Sequence, residues 1–162
     1  MKNHILFTDG SVHTQSGVGY GAYLVLSEPL SDHEKPASFI HTRKFDQASS
    51  SRLELQTMLW ALKEIAGNEG KMIVYTDSQT IIGLTDRRAR LEQKEFRSSK
   101  GIPLKNADLY REFYKLTDHL ECEFVKVKGH KPGKSKDEID RLFAMVDKAA
   151  RKALRDGLEN EA

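Results

Sequence analysis

At 162 residues, with 31% charged and 38% hydrophobic side chains and a net charge of +2, the chain has the size and composition of one globular domain with a sizeable core. It holds no apolar run of about 18 residues and no basic-then-apolar leader, so neither a membrane-spanning helix nor a secretory signal is expected. Its one cysteine, Cys122, excludes an intramolecular disulfide and a cysteine-based zinc site, which fits a reducing cytosol. The expectation is a cytoplasmic monomer with no membrane association and one domain over 1–162, of which 156–162 is a short tail.

The first apolar run, Ile5-Leu6-Phe7-Thr8-Asp9-Gly10-Ser11, predicts a buried strand over 4–9 that stops on an aspartate. A carboxylate so placed must face water, a hydrogen-bond donor or a cation, because an unpaired buried charge is costly. Asp9-Gly10 also reads as a plain turn dipeptide. Gly17, Gly19 and Gly21 punctuate the lead-in to a second strand, Tyr20 to Leu26, and residues 27–36, with two prolines, form a loop. Ala37 to Phe45 reads as a third strand with Phe39, His41, Arg43 and Phe45 on one side, completing an antiparallel meander.

Ser51 opens a helix in which Leu55, Leu59, Leu62 and Ala66 keep the 3.6-residue period, widened by Met58 and Ile65. Ser51 and Glu54 have the spacing of a capping box, a purely structural use for Glu54. Met72 to Asp77 is another strand that ends on an acid, and Asp77 has a structural use of its own as the cap of a short helix over 78–84. Residues 86–100 carry six basic against three acidic side chains, a net of +3, and such a run is ordinarily a solvated face. A helix over 106–119, with Leu109, Phe113 and Leu116 spaced for burial, precedes a last strand over 120–127. A loop with five lysines and no acid, 126–136, leads to a second capping box, Ser135 and Glu138. That box opens a helix to about Arg155 with Ile139, Leu142, Phe143, Val146, Ala150 and Ala153 inward.

The order β-β-β-α-β-α-α-α-β-α, with helical crossovers joining strands one, four and five, predicts an α/β fold: a mixed five-stranded sheet with helices on both faces. Active sites of such sheets gather at the carboxyl ends of central strands, where Asp9 and Asp77 fall. With Glu54 they can converge on one point, and without a cation one of them would have to hold a proton. Hard divalent cations such as Mg²⁺ prefer oxygen ligands. Two of them ~4 Å apart can activate a water and stabilise the leaving oxygen in phosphodiester cleavage. No Gly-x4-Gly-Lys loop is present, which argues against a nucleoside-triphosphate enzyme. Basic segments beside an anionic metal site point to a polyanion with a phosphate backbone.

Four stretches, Phe7-Thr8-Asp9-Gly10-Ser11, Ser51-Arg52-Leu53-Glu54-Leu55, Tyr75-Thr76-Asp77-Ser78-Gln79 and Val127-Lys128-Gly129-His130, resemble the motifs of the ribonuclease HI family, in its order and across nearly the whole chain. Arg87 to Lys100, followed by Pro103 to Tyr110, resembles the basic protrusion by which bacterial members grip the hybrid. The resemblance implies the ribonuclease H-like fold and endonucleolytic cleavage of the RNA strand of an RNA–DNA hybrid. The cofactor it implies is Mg²⁺, two ions with substrate bound, or Mn²⁺, and the products carry 5′-phosphate and 3′-hydroxyl ends. By it Asp9, Glu54 and Asp77 are metal ligands, and His130 assists the attacking water or product release, although a solvent-exposed loop histidine would look the same. Gly10, Ser11 and Gln79 match positions that touch the hybrid's minor groove, where the 2′-hydroxyls distinguish RNA from DNA. Arg87, Arg88, Arg90 and Lys94 match phosphate-gripping positions.

Three departures stand out. Ser49, Ser50 and Ser51 replace the Thr-Asn-Asn of many members and reach less far toward a base edge. The basic segment has Phe96 as its only aromatic where the family has tryptophans. The family's fourth carboxylate, on the last helix, has two candidates here seven residues apart: Asp147, favoured for its neighbours Ala149 and Ala150, and Asp140, which keeps the usual spacing from the histidine. The alternatives to an active hybrid nuclease are an inactive hybrid-binding module and another nuclease of the same fold that acts on DNA.

Overall fold

Side chains alternate between the faces of a strand, and along the first strand Ile5 and Phe7 are buried on one side of the sheet and Leu6 on the other. The computed structural model describes residues 3–30, 33–68, 70–127 and 137–160. Its strands β1 (His4–His13), β2 (Val18–Ser27), β3 (His41–Phe45), β4 (Met72–Thr76) and β5 (Cys122–Lys126) form one sheet in the order β3-β2-β1-β4-β5. β1 and β3 are antiparallel to β2, whereas β4 runs parallel to β1 and β5. Helices α1 (Ser50–Glu64), α2 (Gln79–Gln93) and α3 (Ala107–Thr117) bury the face that carries Leu6 and Val74. Helix α4 (Glu138–Asn160) buries the other, setting Leu142, Val146 and Ala150 on Ile5, Phe7, Ala22, Leu24 and Leu26. The expected mixed five-stranded sheet with helices on both faces is present.

Several boundaries differ from the sequence reading, each for a local reason. β1 does not stop at Asp9, because Gly10 to His13 continue to pair with β2 as a hairpin. The third strand loses its first half: Pro36 opens a 3₁₀ turn over Pro36–Phe39, leaving His41–Phe45 as the strand. The helix after β4 is not a short 78–84 piece. It runs unbroken through Gln93, so one helix fewer separates β4 from β5 and the first half of the basic segment is helical. The last helix continues to Asn160 and takes in residues 156–160 of the supposed tail, with Leu154 buried and Gly157 lying against the Tyr20 ring.

The first capping box is displaced, and the second rests on a serine outside the described residues. α1 is capped by Ser49, whose side chain accepts from Arg52 N, so Glu54 is not spent on a Ser51 box. At the start of α4, Asp140 N donates to Asp137 Oδ1 at 2.9 Å and Asp137 N donates to Asp140 Oδ2 at 3.2 Å. Ser135 lies outside the described residues.

Two of the glycines that read as punctuation are inside β2 and serve packing. A Cβ on Gly19 would come within 2.8 Å of Leu53 Cδ2, and one on Gly10, across the strand pair, within 2.9 Å of the same atom. A Cβ on Gly21 would collide with the Thr57 side chain, whose own Cβ is 3.0 Å away. Helix α1 therefore rests on bare backbone of the β1–β2 hairpin. Gly21→Ala should destabilise the protein by about 1–3 kcal/mol in urea denaturation, because neither strand nor helix can withdraw without breaking its neighbours. Gly67→Ala, where an added Cβ meets nothing within 4 Å, should change stability by less than about 1 kcal/mol.

Candidate active site

The pairing of β1 with β4 ends at Phe7 and Tyr75. Beyond that point β1 follows β2, with Asp9 opposite Ala22, while β4 stops at Thr76 and Asp77 leaves the sheet. The two aspartates thus stand where neighbouring parallel strands part, the crevice in which open α/β sheets bind ligands. Glu54 reaches the crevice from α1 on one face of the sheet. Asp9, Glu54 and Asp77 line one small pocket with Thr8, Thr57 and Thr76. Asp147 arrives from α4 on the other face, close enough for protonated Asp9 to donate a hydrogen bond to it.

Asp9, Glu54 and Asp77 hold protons more tightly than usual. Burial first, then the Asp147 hydrogen bond and the charge of Asp77, push the Asp9 carboxyl up to about 8. Burial also raises Glu54, against the donation of Ser78 Oγ to Glu54 Oε2 at 2.7 Å, with the charge of Asp77 adding to the rise. Asp77 is raised by burial and by Asp147, with Lys126 pulling the other way. A cluster that raises its own proton affinity is short of positive charge, and its oxygen-only donor set suits a hard divalent cation. As the side chains stand, no three acidic, cysteine or histidine groups among the described residues are gathered tightly enough to clasp one ion. Glu54 is turned to Ser78, and Asp147 accepts from Arg151 Nε at 3.2 Å.

The two candidates on α4 are separated by geometry. Asp140 is engaged with Asp137 at the start of the helix, while Asp147 neighbours Asp9 and Asp77. Seven helical residues advance about 10 Å, so both cannot face the same crevice equally. His130 lies outside the described residues.

Ser11 follows Asp9 by two residues in β1 and so shares its face. Gly10 carries Leu53 on its bare α-carbon. Gln79 opens α2, its Oε1 accepting from Lys126 Nζ at 2.6 Å. Ser49 is spent as the cap of α1, Ser50 is exposed, and exposed Ser51 accepts from Asn106 Nδ2 at 3.5 Å.

In the basic segment, Arg88 is committed internally: its guanidinium forks onto Asp118 at 2.6 and 2.8 Å and donates to Glu92 at 2.7 Å. Arg87 stacks on the Tyr110 ring with its centre 5.9 Å away. Arg90 and Lys94 are exposed. Phe96 turns inward, 8% exposed and packed by Tyr114 and Arg111, so the segment presents no aromatic to solvent.

The sequence reading missed three supports. Ser78 caps α2, accepting from Ile81 N at 3.2 Å, and donates to Glu54; a serine directly after a strand-ending aspartate was the available signal. Arg52 ties α1 to α3 through Asp108 Oδ2 at 3.0 Å and Asn106 Oδ1 at 3.3 Å, a contact 54 to 56 residues apart that no local pattern announces. Thr57 is buried in the pocket of the acids, its Oγ1 without a hydrogen-bond partner among the described residues.

The raised carboxyls set a pH dependence. A carboxyl whose affinity for protons rises on folding stabilises the protein while it is protonated, and that stability is lost as pH climbs toward the folded value. Without divalent cations, Tm should therefore fall between pH 5 and pH 8, inside the window from 3.8 to about 8 that Asp9 spans. Asp9→Asn should flatten that slope and raise Tm at pH 8. Asp108, Asp118 and Asp156, held below the usual range mainly by their Arg52, Arg88 and Lys152 partners, lose stability only at more acid pH. Thermal melts in EDTA across this range test it, and a flat wild-type profile would count against strained acids.

The RNase H family model matches residues 1–155. A ribonuclease H of Novosphingobium aromaticivorans is 28% identical over 152 residues, covering 93% of this chain and all of that protein. That of Aeromonas salmonicida is 31% identical over 145 residues, 88% of each. Among solved structures, the RNase H domain of PFV superposes with a TM-score of 0.72 at 17% identity over 93% of both chains, a likeness of fold. With the acids of three of its motifs gathered at one crevice and a family match over nearly its whole length, the chain belongs to the RNase H family, the endoribonucleases of RNA–DNA hybrids.

Proposed function

We propose that the chain hydrolyses the RNA strand of RNA–DNA hybrids with Mg²⁺, or Mn²⁺ in its place, leaving 5′-phosphate and 3′-hydroxyl ends, as a cytoplasmic monomer. The observation that carries the site assignment is the meeting of Asp9, Glu54, Asp77 and Asp147, from four separate elements, at the edge where β1 and β4 part. Their oxygens would hold the cations. A bound pair supplies an activated water and charge stabilisation at the leaving oxygen. Ser78 keeps Glu54 oriented, and Arg151 holds Asp147 until a cation competes for it. Gly10, Ser11, Gln79 and the three serines Ser49 to Ser51 would meet the hybrid's backbone and minor groove. His130 would act on the water or the departing product.

Asp147 is the fourth ligand in this proposal and Asp140 a structural acid of the helix start. Asp147→Asn should lower kcat at saturating Mg²⁺ by more than about 100-fold, beyond the usual effect of losing an outer-shell partner, with little loss of stability. Asp140→Asn should instead lower Tm and leave kcat within a few-fold. A dead Asp140→Asn beside an active Asp147→Asn would reverse the assignment. The substrate class is tested by presenting one strand as hybrid, double-stranded RNA, single-stranded RNA and duplex DNA, with and without Mg²⁺. Cutting confined to the RNA of the hybrid is expected, and equal cutting of duplex DNA would overturn it.

The committed state of Arg88 divides the basic segment. Replacing Arg90 and Lys94 with Ala should raise KM and reduce the salt dependence of hybrid binding by up to about two units of slope, one per phosphate contact. Arg88→Ala should leave the slope unchanged and lower Tm, since its fork joins α2 to the end of α3. Binding titrations at three or more salt concentrations separate the two effects.

A further inference from the structure

Gln79 opens α2 just beyond the end of β4, anchored there by the Ser78 cap. Beside it, β5 ends at Lys126, whose backbone pairs with Thr76, and Val127 N donates to Thr76 O at 2.8 Å. Cys122 and Phe124 pack on the sheet face that α1, α2 and α3 cover, and Lys126, in step with them along the strand, shares that face. Two anchored backbones thus bring Lys126 Nζ to Gln79 Oε1 at 2.6 Å. It is the one hydrogen bond that either side chain makes among the described residues. Burial and Asp147 raise the proton affinity of Asp77 while the charge of Lys126 lowers it, so the ammonium also lies near the crevice.

An ammonium has donors and no acceptor, whereas a side-chain amide has one end of each kind. A lysine held against a glutamine therefore settles which way the amide faces, with the oxygen toward the lysine and the NH₂ group away from it. That orientation decides what the amide can read. In the minor groove every base pair shows acceptors, and only G·C pairs add a donor, the guanine amino group. An amide locked with its NH₂ group outward meets all pairs alike. An amide free to turn can also offer its oxygen to the guanine amino group.

We propose that Lys126 is a positioning residue that sets specificity: it locks the Gln79 amide as a donor, so that the hybrid's minor groove is met without regard to sequence. The effect on cleavage rests on reading Gln79 as a minor-groove contact; the lock between the two side chains does not. Lys126 touches neither the reacting atoms nor the bases in this arrangement and acts only through Gln79.

Two variants separate the donor from the bulk of the side chain. Lys126→Met keeps a long unbranched chain and removes the ammonium, while Lys126→Arg keeps a charged head that can only donate. Lys126 is exposed, so Tm should stay near wild type in both. In the free protein, nitrogen relaxation of the Gln79 side-chain amide should show restricted motion in wild type and Lys126→Arg and free motion in Lys126→Met. Cleavage of a hybrid pool of randomised sequence at saturating Mg²⁺ should show Lys126→Met gaining a preference for a G·C pair at one position near the cut. The gain in kcat/KM should be about two- to tenfold, the worth of one hydrogen bond, and wild type and Lys126→Arg should lack it. With Gln79→Met in place, Lys126→Met should add no preference, because its effect runs through the amide. Equal amide motion in wild type and Lys126→Met would overturn the proposal. So would an unchanged cleavage profile, or a changed profile that persists without the amide and marks Lys126 as a direct contact. Should the wild type cut no hybrid, the reading of the site fails, and amide relaxation alone decides whether Lys126 locks Gln79.

Discussion

Leu53 and Thr57 rest on backbone rather than on side chains, because Gly10, Gly19 and Gly21 present none, and this close approach of α1 to the β1–β2 hairpin sets where Glu54 stands. A helix held off by even one methyl group would carry Glu54 away from the parting of β1 and β4. The same contact buries Leu53 and Thr57 almost completely, so packing energy and site geometry are set by one interface. Arg52 reinforces it from outside by tying α1 to α3, and Ser78 from inside by holding the carboxylate. Small residues at a crossing are usually discussed for packing; here their consequence is the position of an acid in the second turn of a helix.

That geometry opposes stability. Gathering four carboxylates at the edge of a buried sheet raises the proton affinity of Asp9, Glu54 and Asp77, the signature of a site short of positive charge. The rest of the fold has to offset the strain, and the two apolar clusters on either face of β1 do so without sharing a residue. Each face also delivers its own acid: α1 brings Glu54 and α4 brings Asp147, while the sheet between them brings Asp9 and Asp77. The site is therefore complete only when both layers are docked. A partly folded chain that kept the sheet and one layer would lack one acid.

The basic segment shows how charge divides between structure and surface. Arg88 is drawn into a fork with Asp118 and a second contact with Glu92, and Arg87 lies over an aromatic ring, so neither is as exposed as Arg90. Exposed ion pairs of this sort are worth little in isolation. Fixing α2 against α3 is a better account of Arg88 than any single pair energy, because the bond spans 30 residues of chain. Phe96 likewise serves the seam between those helices, turning inward through backbone of positive φ at Glu95 and Phe96.

Residue types and their spacing were enough to determine five strands, the mixed sheet with helices on both faces, and three acids at strand and helix ends, because apolar periodicity and strand-ending aspartates are local signals. The four motifs were enough to place the chain in its family. What the local pattern could not decide was which of two plausible hydrogen-bonding schemes each polar residue would join. Ser49 rather than Ser51 caps α1, Ser78 rather than Asp77 caps α2, and Asp137 with Asp140 opens α4, all shifts of one or two residues among near-equivalent side chains. Those shifts release Glu54 and Asp77 from capping and tie Asp140 up at a helix end, and they follow from where α1, β4 and α4 come to rest on the sheet. The choice between Asp140 and Asp147 was of the same kind: two acids on one face of one helix are alike in sequence, and only the docking of α4 across β1 brings the second beside Asp9.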